Sequence, residues 1–143
     1  MLKAMLSPLT EKVYALIRIL TGLMFSVHGL QKVFGVLWTM PFPRPEWPSQ
    51  AWVGGVIELV TGVLIAAGLF TRCAAFVASG TMAVAYWQFH VFGAGDLQGV
   101  AKYVPAVNNG TPAVLYCFLF LYMACKGGGQ WSVDAKREQA KVS

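Results

Sequence analysis

The sequence predicts an all-α protein, namely an integral membrane protein built as an antiparallel four-helix transmembrane bundle. Of its 143 residues, 57% are hydrophobic and 12% are charged, and the mean hydropathy is +0.58. Soluble domains carry about 25% charged and about 45–50% apolar residues, so this composition is typical of a membrane protein. The apolar residues also form long runs whose ends carry most of the basic residues. The length indicates one domain, residues 1–143.

Four apolar runs predict the helices, with bounds of about 13–37, 51–70, 72–92 and 112–125. A helix needs about 20 residues to cross a hydrocarbon core of about 30 Å, and the first three runs reach that length. The fourth run is shorter and would depend on interfacial residues or a locally thinner bilayer. The polar segment 126–143 is predicted to be a soluble C-terminal tail.

The connections between the runs predict how the helices are arranged. Only Thr71 and Arg72 join the second run to the third, which leaves room for a tight turn alone. The first loop carries four prolines, which stop both neighbouring helices, and two tryptophans, which suit a membrane–water boundary. Short connections place consecutive helices side by side and antiparallel.

The distribution of Lys and Arg predicts the orientation. Seven lie in the N-terminus, the tight turn or the tail, whereas two lie in the other loops. Because positive residues accumulate on the cytoplasmic side, we expect a multi-pass protein of the bacterial inner membrane with both termini in the cytoplasm. The seven are Lys3, Lys12, Arg72, Lys126, Lys136, Arg137 and Lys141, and the two are Arg44 and Lys102.

Four ionisable residues interrupt the predicted spans, and they are His28, Lys32, Glu58 and His90. Such groups are costly in a bilayer unless they pair with one another or line a polar cavity. At 1.5 Å per residue, His28 lies roughly 20 Å from the inner start of its helix and Glu58 roughly 10 Å from the outer start of the next. His90 lies near the outer end of the third span, so three helices carry ionisable groups to one outer layer.

Helical spacing places these groups on shared faces. His28 and Lys32 are four residues apart, and so are Tyr86 and His90, so each pair lies on one side of its helix. If these faces point inward, the five residues form a polar pocket in which Glu58 is the counter-ion of Lys32 or of a protonated histidine.

Other interpretations of the same residues stay open. A Glu58–Lys32 pair that only locks the helices together would look identical, and Lys32 is near enough to the boundary to extend its ammonium group to water. Two histidines and one glutamate could bind iron or zinc, but the His-x-x-x-Lys spacing is not a metal motif, so no metal is predicted. Arg18 lies one to two turns inside the first span and is expected to reach lipid phosphates.

Two further classes of site are excluded or disfavoured by composition. The basic residues form no patch interleaved with aromatic residues, so no nucleic-acid partner is expected. The three cysteines form no Cys-x-x-Cys pair and are predicted to be reduced, packed thiols. They are Cys73, Cys117 and Cys125.

Several motifs together carry a family resemblance. The chain has a His-Gly-x-x-Lys-x-Phe-Gly run at 28–35, then Glu58 with Gly62 and Gly68, then His90, and finally a Gly-x-x-Ser-x-Asp motif at 129–134. In these features it resembles the DoxX family of small four-helix bacterial membrane proteins, over about residues 15–135. Members usually carry an acidic residue after the Asn-Gly of the third loop, where this chain has Thr111.

The resemblance implies association with quinone-linked respiratory or sulfur-oxidising enzymes, and with membrane complexes that handle oxidative stress. We therefore expect an accessory or quinone-adjacent subunit of a membrane oxidoreductase, and whether the chain is itself an enzyme stays open. In this hypothesis the histidines hydrogen-bond a quinone carbonyl, and Glu58 accepts or relays a proton. Phe25, Tyr86 and Trp87 are expected to supply aromatic walls.

The expected ligand is thus a quinone, and neither a metal nor a haem is expected. The expected partners are the lipid bilayer, a membrane or peripheral oxidoreductase, and a second copy of the chain. The alternative functions are a non-catalytic membrane scaffold or assembly protein, and a small-solute or proton transport unit.

Overall fold

The chain is all-helical in a computed structural model that describes residues 1–37 and 43–142, and no strand occurs among these residues. The prediction of an all-α protein is confirmed. Residues 38–42 of the predicted first loop and residue 143 of the predicted tail lie outside the described ranges. The helices are α1 (Leu2–Leu6), α2 (Thr10–Phe34), α3 (Gln50–Ala67), α4 (Thr71–Ala85), α5 (Thr111–Lys126) and α6 (Val133–Val142), with a π-helical segment (Tyr86–Val91) and 3-10 turns at Ser7–Leu9 and Gly99–Tyr103.

Two of these elements are long and apolar enough to cross a membrane. They are the continuous helical segment Leu2–Phe34 and α3, Gln50–Ala67, while α5 is a shorter apolar helix. The predicted third span differs most from the structure, because its α-helix stops after 15 residues and continues as the π-helical segment. Left-handed glycines end α2 and α3, with φ of 71° at Gly35 and 68° at Gly68.

Helices α2 and α3 pack closely and run antiparallel. Gly22 lies opposite Gly62 and Ala66, whereas Gly29 lies opposite Gly55 and Leu59. A Cβ atom on Gly22 would lie 2.5 Å from the Ala66 nitrogen, so the two backbones touch where the side chain is absent. Small residues give the same close approach between helices packed in lipid.

Helices α4 and α5 form a second antiparallel pair. Near the start of α4, the Arg72 guanidinium donates to the carbonyls of Ala124, Cys125 and Lys126 at the end of α5. Farther along, the Ser79 hydroxyl donates to the Cys117 carbonyl at 2.8 Å. Between the pairs lies a core whose members come from α2 to α5, namely Tyr14, Phe25, Ile65, Ala74, Ala75, Ala78, Met82, Phe120 and Met123.

Arg18 is buried inside the protein, so the prediction that it reaches lipid phosphates is wrong. Its exposed fraction is 0%. Its guanidinium donates to Ile65 O at 2.6 Å, to Ala66 O at 2.7 Å and to Trp131 O at 2.9 Å. The last carbonyls of a helix have no intrahelical donor, and Arg18 satisfies those of α3 while it also holds the segment that follows α5.

That segment, residues 127–134, packs on the ends of the helices. The carboxylate of Asp134 accepts from Phe70 N at 2.9 Å and from Thr71 N and Oγ1 at 2.8 Å, so it caps the start of α4. Burial would raise the pKa of Asp134, but the hydrogen bonds from Thr71 and Phe70 outweigh it, so the pKa lies below its ordinary value.

Ser132 is buried next to Gly68, and its hydroxyl accepts from Ala135 N at 3.1 Å and donates to Gly129 O at 2.7 Å. The Gly-x-x-Ser-x-Asp motif therefore serves to dock the chain on the ends of α3 and α4. We call the group formed by Tyr14, Arg18, Gly68, Ser132 and Asp134 the basal cluster.

Candidate functional site

A cavity of about 750 Å³ lies at the end of the helices opposite the basal cluster. We call it the upper cavity. Four of the five predicted site residues line it, and Tyr86 does not. The lining residues come from α2 to α5, the π-helical segment and the first loop, and they include Phe25, His28, Lys32, Pro45, Glu58, Met82, Phe89, His90, Pro112 and Tyr116.

An ion pair joins α2 to α3 in the wall of the upper cavity. Lys32 Nζ lies 2.6 Å from Glu58 Oε1. Of the two counter-ions predicted for Glu58, the structure shows Lys32. The Glu58 side chain is 3% exposed and that of Lys32 is 32% exposed, so the acid is the more deeply buried partner. Gly55 permits this arrangement, because a Cβ atom there would lie 2.6 Å from the Lys32 Cβ.

The second carboxylate oxygen of Glu58, Oε2, is buried, and among the described residues it accepts no hydrogen bond. A buried polar atom without a partner costs about 1–3 kcal/mol, and more when it belongs to a charged group. Because Glu58 lines the upper cavity, a hydroxyl or N–H group of a ligand is the kind of donor that this oxygen lacks.

His90 is presented by the π-helical segment. The Phe92 N–H donates to the Trp87 carbonyl at 2.8 Å, which is the five-residue bond of a π-helix. Such segments occur frequently at functional sites. His90 Nδ1 lies 3.1 Å from the Asn108 carbonyl, and since a carbonyl can only accept, Nδ1 carries the proton in this bond. In the neutral ring, Nε2 is then the free acceptor.

The residue that fixes this loop, Asn108, was not predicted from the sequence. It is buried, its amide donates to Lys102 O at 2.8 Å, and its Oδ1 accepts from Gly110 N at 2.9 Å. The available signal was the Asn-Asn-Gly turn sequence at 108–110. Asn108 thereby holds the carbonyl that orients His90.

Tyr86 lies beside the upper cavity rather than in its lining, which corrects the predicted pocket. Its hydroxyl donates to Tyr103 O at 2.9 Å, and its ring stacks on His90 with centroids 6.4 Å apart. Trp87, expected as an aromatic wall, also lies outside the lining. Tyr86 therefore supports His90 and the third loop, because it ties the π-helical segment to Tyr103.

Of the three residues expected to supply aromatic walls, Phe25 of α2 lines the upper cavity, and Tyr116 of α5 lines it beside Phe25. Phe25 is 1% exposed, and its ring centroid lies 5.6 Å from Tyr116 and 4.7 Å from Phe120. Tyr116 was not predicted as a site residue, although Pro112, Tyr116 and Phe120 recur at the four-residue spacing of one helix face.

The remaining predicted features lie at the rim. His28 is exposed and lines the same cavity as His90. Thr111, where the family usually has an acid, begins α5 and is exposed, and the next residues, Pro112 and Ala113, line the cavity. No group of three or more His, Cys, Asp and Glu side chains suited to a metal occurs among the described residues.

Comparisons with known proteins agree with the sequence motifs. The DoxX family profile matches residues 13–91. An uncharacterised protein of Haemophilus influenzae is 39% identical over 129 residues, covering 85% of this chain and 88% of its own. A Mycobacterium tuberculosis protein described as a membrane protein is 28% identical over 127 residues, covering 84% of this chain and 78% of its own.

A third relative, Bacillus subtilis CatD, is named as a candidate oxidoreductase. It is 46% identical over 59 residues, which are 40% of this chain and 44% of CatD. No solved structure matches the chain significantly.

Proposed function

The chain belongs to the DoxX family of membrane proteins, and from that premise we propose that it spans the bacterial inner membrane as an antiparallel four-helix bundle. The four spans are α2, α3, α4 with its π-helical segment, and α5. The first half of α2, the α3–α4 turn and the segment after α5 meet at the basal cluster, and most basic residues outside the spans belong to the parts of the chain next to that end. Under the positive-inside rule this end faces the cytoplasm and the upper cavity faces outward.

Cysteine labelling tests this orientation. In a variant whose native cysteines are replaced by serine, Gln98→Cys lies in the third loop and Gln139→Cys in α6, and both positions are exposed. An impermeant maleimide added to intact spheroplasts is expected to label the first and not the second. Labelling of the second position alone would reverse the topology.

We propose further that the upper cavity binds the head group of a membrane quinone and that the protein serves as a subunit of a membrane oxidoreductase. The buried Oε2 of Glu58 carries this proposal, because no described residue donates a hydrogen bond to this carboxylate oxygen in a cavity with apolar walls. In its reduced form, a bound quinol would release two protons from its hydroxyl groups and two electrons to a redox centre of the partner oxidoreductase, which leaves the quinone; the reverse reaction would take up the same two protons and two electrons.

The polar residues of the upper cavity can form hydrogen bonds with both oxygens of a quinone ring. Glu58 Oε2 can accept a hydrogen bond and a proton from a hydroxyl group, and the Lys32 ammonium can donate to a carbonyl. His90 Nε2 offers a second acceptor, which Asn108 orients through Nδ1. Phe25 and Tyr116, whose ring planes are inclined to each other by 36°, provide aromatic contacts for the ring.

A scaffold function is the second candidate, and the close packing of α2 and α3 favours it. Glycines bring their backbones into contact along the seam that the Lys32–Glu58 pair also joins. In a scaffold, the ion pair only fixes helix register. Ligand binding distinguishes the two functions, because a scaffold in which the ion pair only fixes helix register is not expected to bind a quinone.

Thermal unfolding with a short-chain quinone tests the proposed site. Quinone at about 100 times its dissociation constant is expected to stabilise the wild type by about 2.7 kcal/mol. Glu58→Gln and His90→Leu each remove an acceptor and are expected to weaken binding about tenfold or more, since hydrogen bonds to charged groups are worth about 1.5–3 kcal/mol. Glu138→Gln, on α6 far from the cavity, is the matched control. If quinone stabilises the wild type and all three variants equally, it binds outside the upper cavity.

A further inference from the structure

A groove between α3 and α4 opens onto the side of the helices. It has a volume of about 310 Å³, and its apolar walls include Val53, Ile57 and Val84. Val53 and Val84 are 43% and 55% exposed, so the groove faces the surroundings of the bundle rather than its core. In the proposed topology those surroundings are lipid.

Two glycines keep the groove open. A Cβ atom on Gly54 or on Gly80 would meet no atom within 4 Å. The glycines of the α2–α3 seam behave differently, because a Cβ atom on Gly62 would lie 2.6 Å from the Ser26 nitrogen. Gly54 and Gly80 therefore leave space at the α3–α4 contact instead of closing it.

The groove lies directly against the upper cavity. Both are lined by Lys32, Glu58 and Phe89, with Ala51 and Ala85 beside them. The ion pair therefore borders the outer cavity on one side and the lateral groove on the other. This shared lining, together with a Glu58 Oε2 that accepts no hydrogen bond from any described residue, distinguishes the groove from an ordinary stripe of small residues.

A pair of amides closes the groove near its outer end. Gln50 Nε2 donates to Gln88 Oε1 at 2.7 Å, and Gln88 Nε2 donates to Gln50 Oε1 at 2.6 Å. These reciprocal bonds tie the first residue of α3 to the π-helical segment. These bonds separate the apolar part of the groove from the outer aqueous side. A hydrocarbon chain that lies in the groove would therefore extend sideways into the lipid.

We propose that this groove is a lateral portal that holds the isoprenoid tail of a membrane quinone whose head group lies in the upper cavity. The inference rests on the proposed quinone site and names its ligand as the lipid-soluble, long-tailed form. An isoprenoid chain matches the apolar walls, and a side opening lets the chain stay in the bilayer while the polar ring reaches Glu58.

The test compares two quinones that share one head group, one with a single isoprenoid unit and one with about eight. Gly54→Leu and Gly80→Leu fill open space, so both variants are expected to fold. Ala67→Leu, on an exposed position of α3 outside the groove, is the matched control. Dissociation constants are measured from thermal unfolding in lipid nanodiscs with a graded series of quinone contents, which is the same series for both quinones.

The wild type and the control are expected to bind the long-tailed quinone at least tenfold more tightly than the short one. In both groove variants that advantage should vanish while short-tail binding stays within about twofold of the wild type. A long-tail advantage that survives in both variants would overturn the portal. So would self-association of the wild type that either leucine abolishes, because a second copy would then occupy the groove. Failure of the wild type to bind even the short quinone would instead refute the proposed function.

Discussion

Replacing Arg18 with leucine is expected to lower the free energy of unfolding by more than about 3 kcal/mol, since it removes three hydrogen bonds to a charged group and each such bond contributes about 1.5–3 kcal/mol. The guanidinium holds the carbonyls of Ile65, Ala66 and Trp131, and its exposed fraction is 0%. Leucine cannot donate to any of them. The last turn of α3 and the segment that begins at Gly127 would both lose their hydrogen bonds from Arg18.

The measurement is reversible unfolding in mixed micelles, combined with limited trypsin digestion of the folded protein. Arg18→Leu should also release the segment after α5, so cleavage after Lys126 should accelerate. Arg44→Leu is the matched control, because Arg44 is exposed and its one hydrogen bond to a described residue goes to Val33 O, at 3.2 Å. An unfolding free energy within about 0.5 kcal/mol of the wild type, the range of ordinary surface substitutions, would contradict the buried role of Arg18.

Removing Lys32 from the ion pair is expected to lower the free energy of unfolding more than removing Glu58. Lys32→Met leaves Glu58, whose side chain is 3% exposed, without a counter-ion, and this typically costs about 3–5 kcal/mol. Glu58→Ala should cost less, because the Lys32 side chain is 32% exposed and can turn its ammonium group toward water.

The double variant Lys32→Met/Glu58→Ala should recover part of the combined loss, with a coupling of about 0.5–3 kcal/mol. Unfolding in micelles of the two single variants and the double variant gives this coupling directly. Lys126→Met with Glu11→Ala is the control cycle, since the acid of this 2.6 Å pair, Glu11, is 46% exposed, whereas Glu58 is 3% exposed. If the effects of Lys32→Met and Glu58→Ala simply add, the 2.6 Å contact contributes no coupling to the fold.

The sequence predicted best those features whose energetic cost depends only on the residues themselves and not on distant partners. Apolar runs predict helices because each run must satisfy its own backbone hydrogen bonds, and an acid and a base at one depth predict a pair because each alone is costly in lipid. Both arguments use only the residues concerned. They accordingly predicted the helical character of the four apolar runs and the contact between Lys32 and Glu58.

Other features depend on partners that sequence spacing does not identify. Arg18 is held by carbonyls at positions 65, 66 and 131, and a carbonyl belongs to every residue, so no motif marks it. Tyr86 was placed in the pocket on a spacing of 3.6 residues per turn, but it begins the π-helical segment, where turns are wider. Asn108 and Tyr116 carry no charge and gave no comparable signal.

Site-resolved photoaffinity labelling tests most directly whether the upper cavity binds a quinone. The wild type in nanodiscs is illuminated with an azidoquinone, and labelled peptides are identified by mass spectrometry. Label is expected on α2 around His28 and on α5 around Tyr116, to be displaced by unmodified quinone, and to fall strongly in Glu58→Gln. Label that is spread over the lipid-facing surface, or that persists under competition and in Glu58→Gln, would contradict the assignment of the upper cavity as a quinone site.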